Sequence, residues 1–256
     1  MYGSISEPKN TFGDKLELFY ETMKKMVPGA WELNIDLQNL WGNMKGDSYS
    51  WNLPDNFHAS IDTKVKEFDE FTFLNEKQFL PIKKTGRPNF HKGLGPNLIH
   101  SIDGMIVREM FRRCIYDKKT ITRVINALDG KSTNGRSAEM VKTLWNAYQQ
   151  SGFLSTRIFD YLYEDTMGLV DPMEIAKLLK QLPEQPFDLV SVHDCFRCHP
   201  NYGNDVRQQY NNIMADINDS NMLAYIVNQI AHTKVHIKKS GKIKREEILE
   251  GNYLLA

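Results

Sequence analysis

Apolar residues recur at helical spacing along much of this chain and alternate in one short run. Leu16, Phe19, Tyr20, Met23 and Val27 form a stripe at helical spacing, with Asp14 as the expected cap and Pro28-Gly29 as the break. Over residues 31–79 the pattern turns to shorter, aromatic-rich runs interrupted by Gly42, Gly46 and Pro54, which predicts hairpins. A turn-rich connector at 85–96 leads into a helix expected over 97–115. On that helix His100, Asp103 and Gly104 share one face, whereas Leu98, Ile102, Ile106 and Met110 favour the adjoining one. The second flank reads as core and the first as a candidate site, with a buried His satisfied by its own Asp103 as the plainer alternative. Gly104 in a helix interior costs about 1 kcal/mol relative to Ala, so close approach by a nucleic acid or another backbone is expected there.

Further on, 137–150 and 156–167 read as amphipathic helices, and Asp171-Pro172 opens another that ends before Pro183. Two more helical stretches follow at 204–218 and 220–234, the first with Val206, Tyr210, Ile213 and Ile217 at core spacing. Between these groups lies the alternating run. Phe187, Leu189 and Ser191 fall on one face of a strand and Val190 and Val192 on the other, so a backbone anchored from both sides is expected to deliver His193 and Asp194 at a turn. A carboxylate held there can bind Mg²⁺ with few protein ligands, leaving other positions to water and phosphate. The bland alternative is a polar turn, since Asp is an ordinary turn residue.

Two segments carry a resemblance. Pro96-Asn97-Leu98-Ile99-His100-Ser101-Ile102-Asp103 and His193-Asp194-Cys195 resemble the Pro-Asn-x-x-His-Ser-x-Asp helix and the His-Asp-Ser hairpin of the single-subunit RNA polymerases of bacteriophages and mitochondria. Weaker matches fall in the same order. Tyr2-Gly3 resembles the Tyr-Gly that closes the family's nucleotide-binding helix, Trp51-Asn-Leu-Pro-Asp-Asn-Phe57 its Trp-x-x-Pro-Asp-Gly-Phe hairpin, and His91-Lys92 also has a counterpart. The final residues, Ile248-Leu-Glu-Gly-Asn-Tyr-Leu-Leu-Ala256, are similar to the family's apolar tail. Cys195 stands where the family has serine, and Ile102 replaces a Gln-like position.

The resemblance implies an α+β, helix-rich fold: a polymerase palm and fingers portion with a metal-site β-hairpin packed on helices. It divides the chain into 1–115, carrying the Trp51 hairpin and the Pro96–Asp103 helix; 116–186, a helical insertion; and 187–256, the metal-site hairpin with its backing helices and tail. It implies that Asp194 binds two Mg²⁺ ions and that His193 sits beside it. It also implies that Tyr2, Gly3 and His100 contact the nucleotide. The second catalytic aspartate and the nucleotide-binding Lys and Arg precede Tyr-Gly in the family. Met1 directly before Tyr2 therefore suggests a C-terminal fragment or, as the start codon favours, a polymerase divided between two polypeptides. The expected partners are that second subunit, a DNA template, the RNA transcript and nucleoside triphosphates, with a single-stranded-DNA-binding factor as a further candidate.

Composition agrees without discriminating. The 256 residues, with 32 basic and 32 acidic side chains, can bury a core but offer no overall attraction to nucleic acid, which suits a subunit whose partner grips the duplex. Three cysteines make no disulfide framework, and neither a membrane-length apolar run nor a signal-peptide core is visible, so the expected location is the cytoplasm of a bacterial host. Gly130-Lys131-Ser132 lacks the glycine and strand that a phosphate-cradling loop needs. The basic run 234–245 reads first as a solvated turn and second as a phosphate contact. Two rival functions remain. One is a small zinc- or nucleic-acid-binding accessory protein using His193, Cys195, Cys198 and His199, although four neighbours on one strand and turn reach a tetrahedral ion poorly. The other is a non-catalytic scaffold derived from a polymerase.

Overall fold

The computed structural model describes residues 6–43, 46–86, 93–193, 195–239, 241 and 243–252, apart from the side chains of 6, 7 and 41–43. Among the described residues it is helix-rich, with three separate two-stranded antiparallel sheets, and so belongs to the α+β class. The chain forms two compact units, residues 1–51 with 59–100 and residues 52–58 with 101–256.

In the first unit, helices α1 (Ser6–Phe12), α2 (Leu16–Met26) and α3 (Pro28–Asn43) precede two hairpins. Asp14 does not cap α2. It lies within the 3-10 turn Gly13–Lys15 that joins α1 to α2, and the residue at the cap, Lys15, makes no side-chain hydrogen bond. The apolar stripe of α2 is half-buried at Leu16, Phe19, Tyr20 and Met23, but no residue of this helix is fully buried. Ring contacts join the three helices: Phe12 stacks on Phe19 at 4.4 Å, and Tyr20 meets Trp31 at 5.6 Å. Residues 31–43, expected as hairpin, are helical. Pro28 stands at the first helical position, where its missing N–H costs no bond, so it starts α3 as well as ending α2. Strands β1 (Ser48–Asn52) and β2 (His58–Asp62) form one hairpin. The longer pair, β3 (Lys64–Phe73) and β4 (Glu76–Thr85), turns at Leu74-Asn75, both left-handed, and leaves Phe68, Phe71 and Phe79 exposed.

Helix α4 (Leu94–Cys114) leads from the first unit into the second. There α5 (Lys118–Ala127), α6 (Ala138–Ser151) and α7 (Pro172–Gln181) enclose a core of Val124, Val141, Leu144, Ile158, Leu162 and Ile175. Asp117 caps α5 by accepting from the N–H groups of Lys119 and Thr120, and Asp171 caps α7 by accepting from Met173. The expected helix at 156–167 is corrected to two 3-10 turns, Thr156–Asp160 and Met167–Leu169. Its backbone groups are satisfied elsewhere, because Arg123 donates to the carbonyls of Phe159 and Leu162 and the N–H of Tyr163 bonds Thr166 Oγ1. Strands β5 (Leu189–Val192) and β6 (Cys195–Cys198) follow, then α8 (Gly203–Asp219), α9 (Met222–Ala231) and α10 (Arg245–Leu249). Among the described residues no helix is long and apolar enough to cross a membrane.

Candidate functional site

In the β5–β6 hairpin Val192 pairs with Cys195 and Leu189 with Cys198, and the turn between the strands starts at His193. His193 has φ of 56°, the left-handed conformation that a twist-compatible two-residue hairpin requires at its centre, and its side chain is exposed. Asp194 itself lies outside the described residues, as do Tyr2, Gly3, His91 and Lys92.

The hairpin is anchored on one face only. Phe187 and Leu189 are buried; the N–H of Phe187 donates to the Cys114 carbonyl at 2.8 Å and its ring stacks on Tyr202 at 4.6 Å. Phe196 meets the edge of Tyr210 on α8. Val190 and Val192, expected to anchor the opposite face, are instead 59% and 53% exposed. Among the described residues α8 lies against the Leu189 face and the opposite face is left open at Val190 and Val192, so the hairpin is a ribbon with a fixed base. The open face carries Cys195 as well, since it pairs with exposed Val192, whereas Cys198 shares the face of buried Leu189. Cys195 and Cys198 thus project to opposite sides, which argues against their serving as a zinc pair. Among the described residues, no group of three or more His, Cys, Asp or Glu side chains converges as a metal site.

On α4 the expected division of faces holds in part. Of the expected core flank Leu98, Ile106 and Met110 are buried but Ile102 is only half-buried, and Met105 joins the core instead; His100 is exposed, and Asp103 is half-buried. The alternative of a core histidine is therefore corrected: the ring is at the surface. Among the described residues no other backbone comes close to Gly104; the end of Arg108, at 3.3 Å, is what lies near the position of its missing side chain.

Sequence reasoning missed the charge network that fixes α4. Asp55, in the Pro-Asp turn of the Trp51–Phe57 segment, is fully buried and accepts from Arg108 Nε at 2.7 Å and Arg108 Nη2 at 3.2 Å, and from Arg112 Nη1 at 3.0 Å. Arg157 donates to its backbone carbonyl at 2.8 Å, and the Arg108 guanidinium lies 4.1 Å over the Phe57 ring. Burial alone would raise the Asp55 carboxyl; the hydrogen bonds and charges of Arg108 and Arg112 outweigh it and hold the group below the usual carboxylate range.

Next to Arg108, Glu109 accepts from Arg112 at 2.9 Å, from the Thr156 N–H at 3.0 Å and from the hydroxyls of Ser155 and Thr156. Arg113, wholly buried, donates to Gln181 and to Asp216, which Arg245 bonds in turn at 2.7 Å. Alternating charges thus tie the Trp51–Phe57 turn, α4, α8 and α10 together, and the neutral amide of Gln181 joins α7 to them. The available signal was Arg108, Glu109, Arg112 and Arg113, four charges on the same turns as Ile106 and Met110. Four charges so close to core positions must find buried partners.

Compared with known proteins, the chain matches no family model and no curated sequence.

Proposed function

We propose that this chain is one subunit of a DNA-dependent RNA polymerase of the single-subunit phage type, contributing the palm and fingers elements around Asp194 and acting with a partner polypeptide. The carrying observation is the structural context of the motif residues: His100 stands on the exposed face of a helix whose other face is core, and His193 turns a two-residue hairpin with a buried base. Motifs of this kind gain weight only when their element types agree, and here both do.

In this reading Asp194 shares two Mg²⁺ ions with an aspartate of the partner. When bound, those ions supply activation of the transcript's 3′-hydroxyl and stabilisation of charge on the triphosphate. His193, exposed beside Asp194 in sequence, lies near the growing end of the transcript. Tyr2 and Gly3 contact the incoming ribose, and His100 faces the newest base pair near a 2′-hydroxyl, the group that separates RNA from DNA. The charge network from Asp55 to Asp216 keeps α4 in place under load.

The test isolates the tagged chain with its partner from the cells that make it and measures Mg²⁺-dependent RNA synthesis on a single-stranded DNA template. The complex is expected to synthesise RNA, and the chain alone is not. Replacing Asp194 by Asn should lower turnover by several orders of magnitude with template binding retained. RNA synthesis within threefold of wild type in that variant would overturn the reading.

A further inference from the structure

The 116–186 segment holds an open cleft of about 810 Å³ that lies apart from the residues assigned above. One wall is the polar face of α5, with Lys118, Lys119, Thr122 and Asn126; the facing wall is Tyr163, Glu164 and Asp165. Lys118 and Lys119 are exposed and make no ion pair with described residues, including the two carboxylates opposite. The floor is fixed. Arg123 donates to the carbonyls of Phe159 at 2.7 Å and Leu162 at 3.2 Å, and its guanidinium lies 4.0 Å over the Tyr163 ring, which remains 41% exposed.

Two glycines hold the far wall. A side chain on Gly130 would come within 2.6 Å of the Glu164 carbonyl, and one on Gly135 would collide with the Asp165 carboxylate. The loop 129–136 therefore packs directly behind the Tyr163–Asp165 wall, reinforced by the Gly135 N–H donating to the Asp165 carbonyl at 3.0 Å. The cleft is thus built before any ligand arrives.

From this arrangement we propose that the cleft binds single-stranded nucleic acid, with one base against Tyr163 and the adjoining phosphates on Lys118 and Lys119. Two exposed ammonium groups on one wall, of which Lys119 also offsets part of the charge of Asp117, suit a phosphate backbone. An aromatic ring backed by a guanidinium is a platform on which an unstacked base can lie, and such stacking tolerates any base. Glu164 and Asp165 repel phosphate from the opposite rim and accept N–H groups from the base edge, which sets the orientation of the strand. A duplex presents no free base face to Tyr163. An acidic peptide brings carboxylates against Glu164 and Asp165 and leaves the ring without a partner.

The experiment measures binding of short fluorescent single-stranded RNA and DNA to the full chain alone, with EDTA and without nucleoside triphosphates. It is therefore independent of the polymerase reading, and either can fail without the other. Tyr163→Ala should weaken binding roughly tenfold or more, and Tyr163→Phe should restore it. Replacing both Lys118 and Lys119 by Ala should reduce the slope of log affinity against log salt by about 1.4, as expected for two lost phosphate contacts on a single strand. All these side chains are exposed, so the variants are expected to fold. Comparable affinity for RNA and DNA supports backbone and stacking recognition, while a preference for RNA supports the same site with an added 2′-hydroxyl contact. An unchanged salt slope, equal binding of duplex, or full displacement by an acidic peptide would overturn the proposal.

Discussion

Asp55 and Arg108 form a two-pronged ion pair across 53 positions of sequence, with the carboxylate fully buried and both of its oxygens bonded to one guanidinium. The pair docks the Pro-Asp turn of the Trp51–Phe57 segment on the outer part of α4, two turns beyond His100. Arg112 adds a third bond, so the turn is held by both arginines of one helix face.

Removing the carboxylate should be costly. Asp55→Ala leaves two arginines facing each other without their shared acceptor. Breaking a buried pair in this way typically destabilises by about 3–5 kcal/mol, and the partial exposure of Arg108 and Arg112 places this case near the lower figure. Urea unfolding should show a lower midpoint at an unchanged slope. A loss under about 1 kcal/mol would mean that the turn is held by apolar contacts alone.

The same pair dictates a pH dependence. The folded pKa of Asp55 lies below its unfolded value, so its contribution is complete above the unfolded pKa and is lost as pH falls through the folded one. The chain should keep this stabilisation at neutral and mildly acidic pH and lose it at strongly acidic pH. Asp55→Asn should flatten that acid limb, measured as unfolding free energy against pH.

His193 separates stability from activity. A non-glycine residue in the left-handed region carries a cost of about 1 kcal/mol, so His193→Gly should stabilise the chain by about 0.5–1 kcal/mol, and His193→Val should destabilise it. Under the proposed function the glycine variant loses RNA synthesis despite its greater stability. Equal activity in the more stable variant would assign His193 to turn formation only.

Two of the three thiols should react in a fixed order. Burial, with a smaller contribution from Cys198, pushes the Cys114 thiol up to about 12, whereas Cys195 is exposed on the open face of the hairpin. A chromogenic disulfide reagent at mildly alkaline pH should label Cys195 quickly and Cys114 only on unfolding. Cys195→Ser should remove the fast phase and, under the proposed function, leave RNA synthesis nearly unchanged, because serine is the residue the resembling family carries there.

Tyr2 can be tested in the same complex. Tyr2→Phe removes a hydroxyl worth about 0.5–1.5 kcal/mol while keeping the ring. The ratio of kcat/KM for ribonucleotides to that for deoxyribonucleotides should fall by roughly three- to tenfold. An unchanged ratio would make Tyr2 a packing residue.

Local spacing alone was enough for several elements. The Asp171-Pro172 start of α7, the stripe of α8, the exposure of His100 against the buried Leu98, Ile106 and Met110 on α4, and the turn starting at His193 were all legible, because each depends on residues within a few positions of one another. Aromatic-rich 31–43 was misread because propensity there is ambiguous, and ring contacts such as that between Tyr20 and Trp31 accompany the helix. Residues 156–167 have helical periodicity, yet Arg123 and Thr166 take the backbone bonds a helix would have made. Val190 and Val192 alternate as a two-sided strand should, but whether a second layer covers them depends on what packs there, and α8 meets only the other face. Partner choice among buried charges lies furthest from local pattern. Asp55 looks like any turn aspartate in sequence, and only the approach of α4 makes it the acceptor of two arginines, since Coulomb attraction and desolvation depend on distances in space and not along the chain.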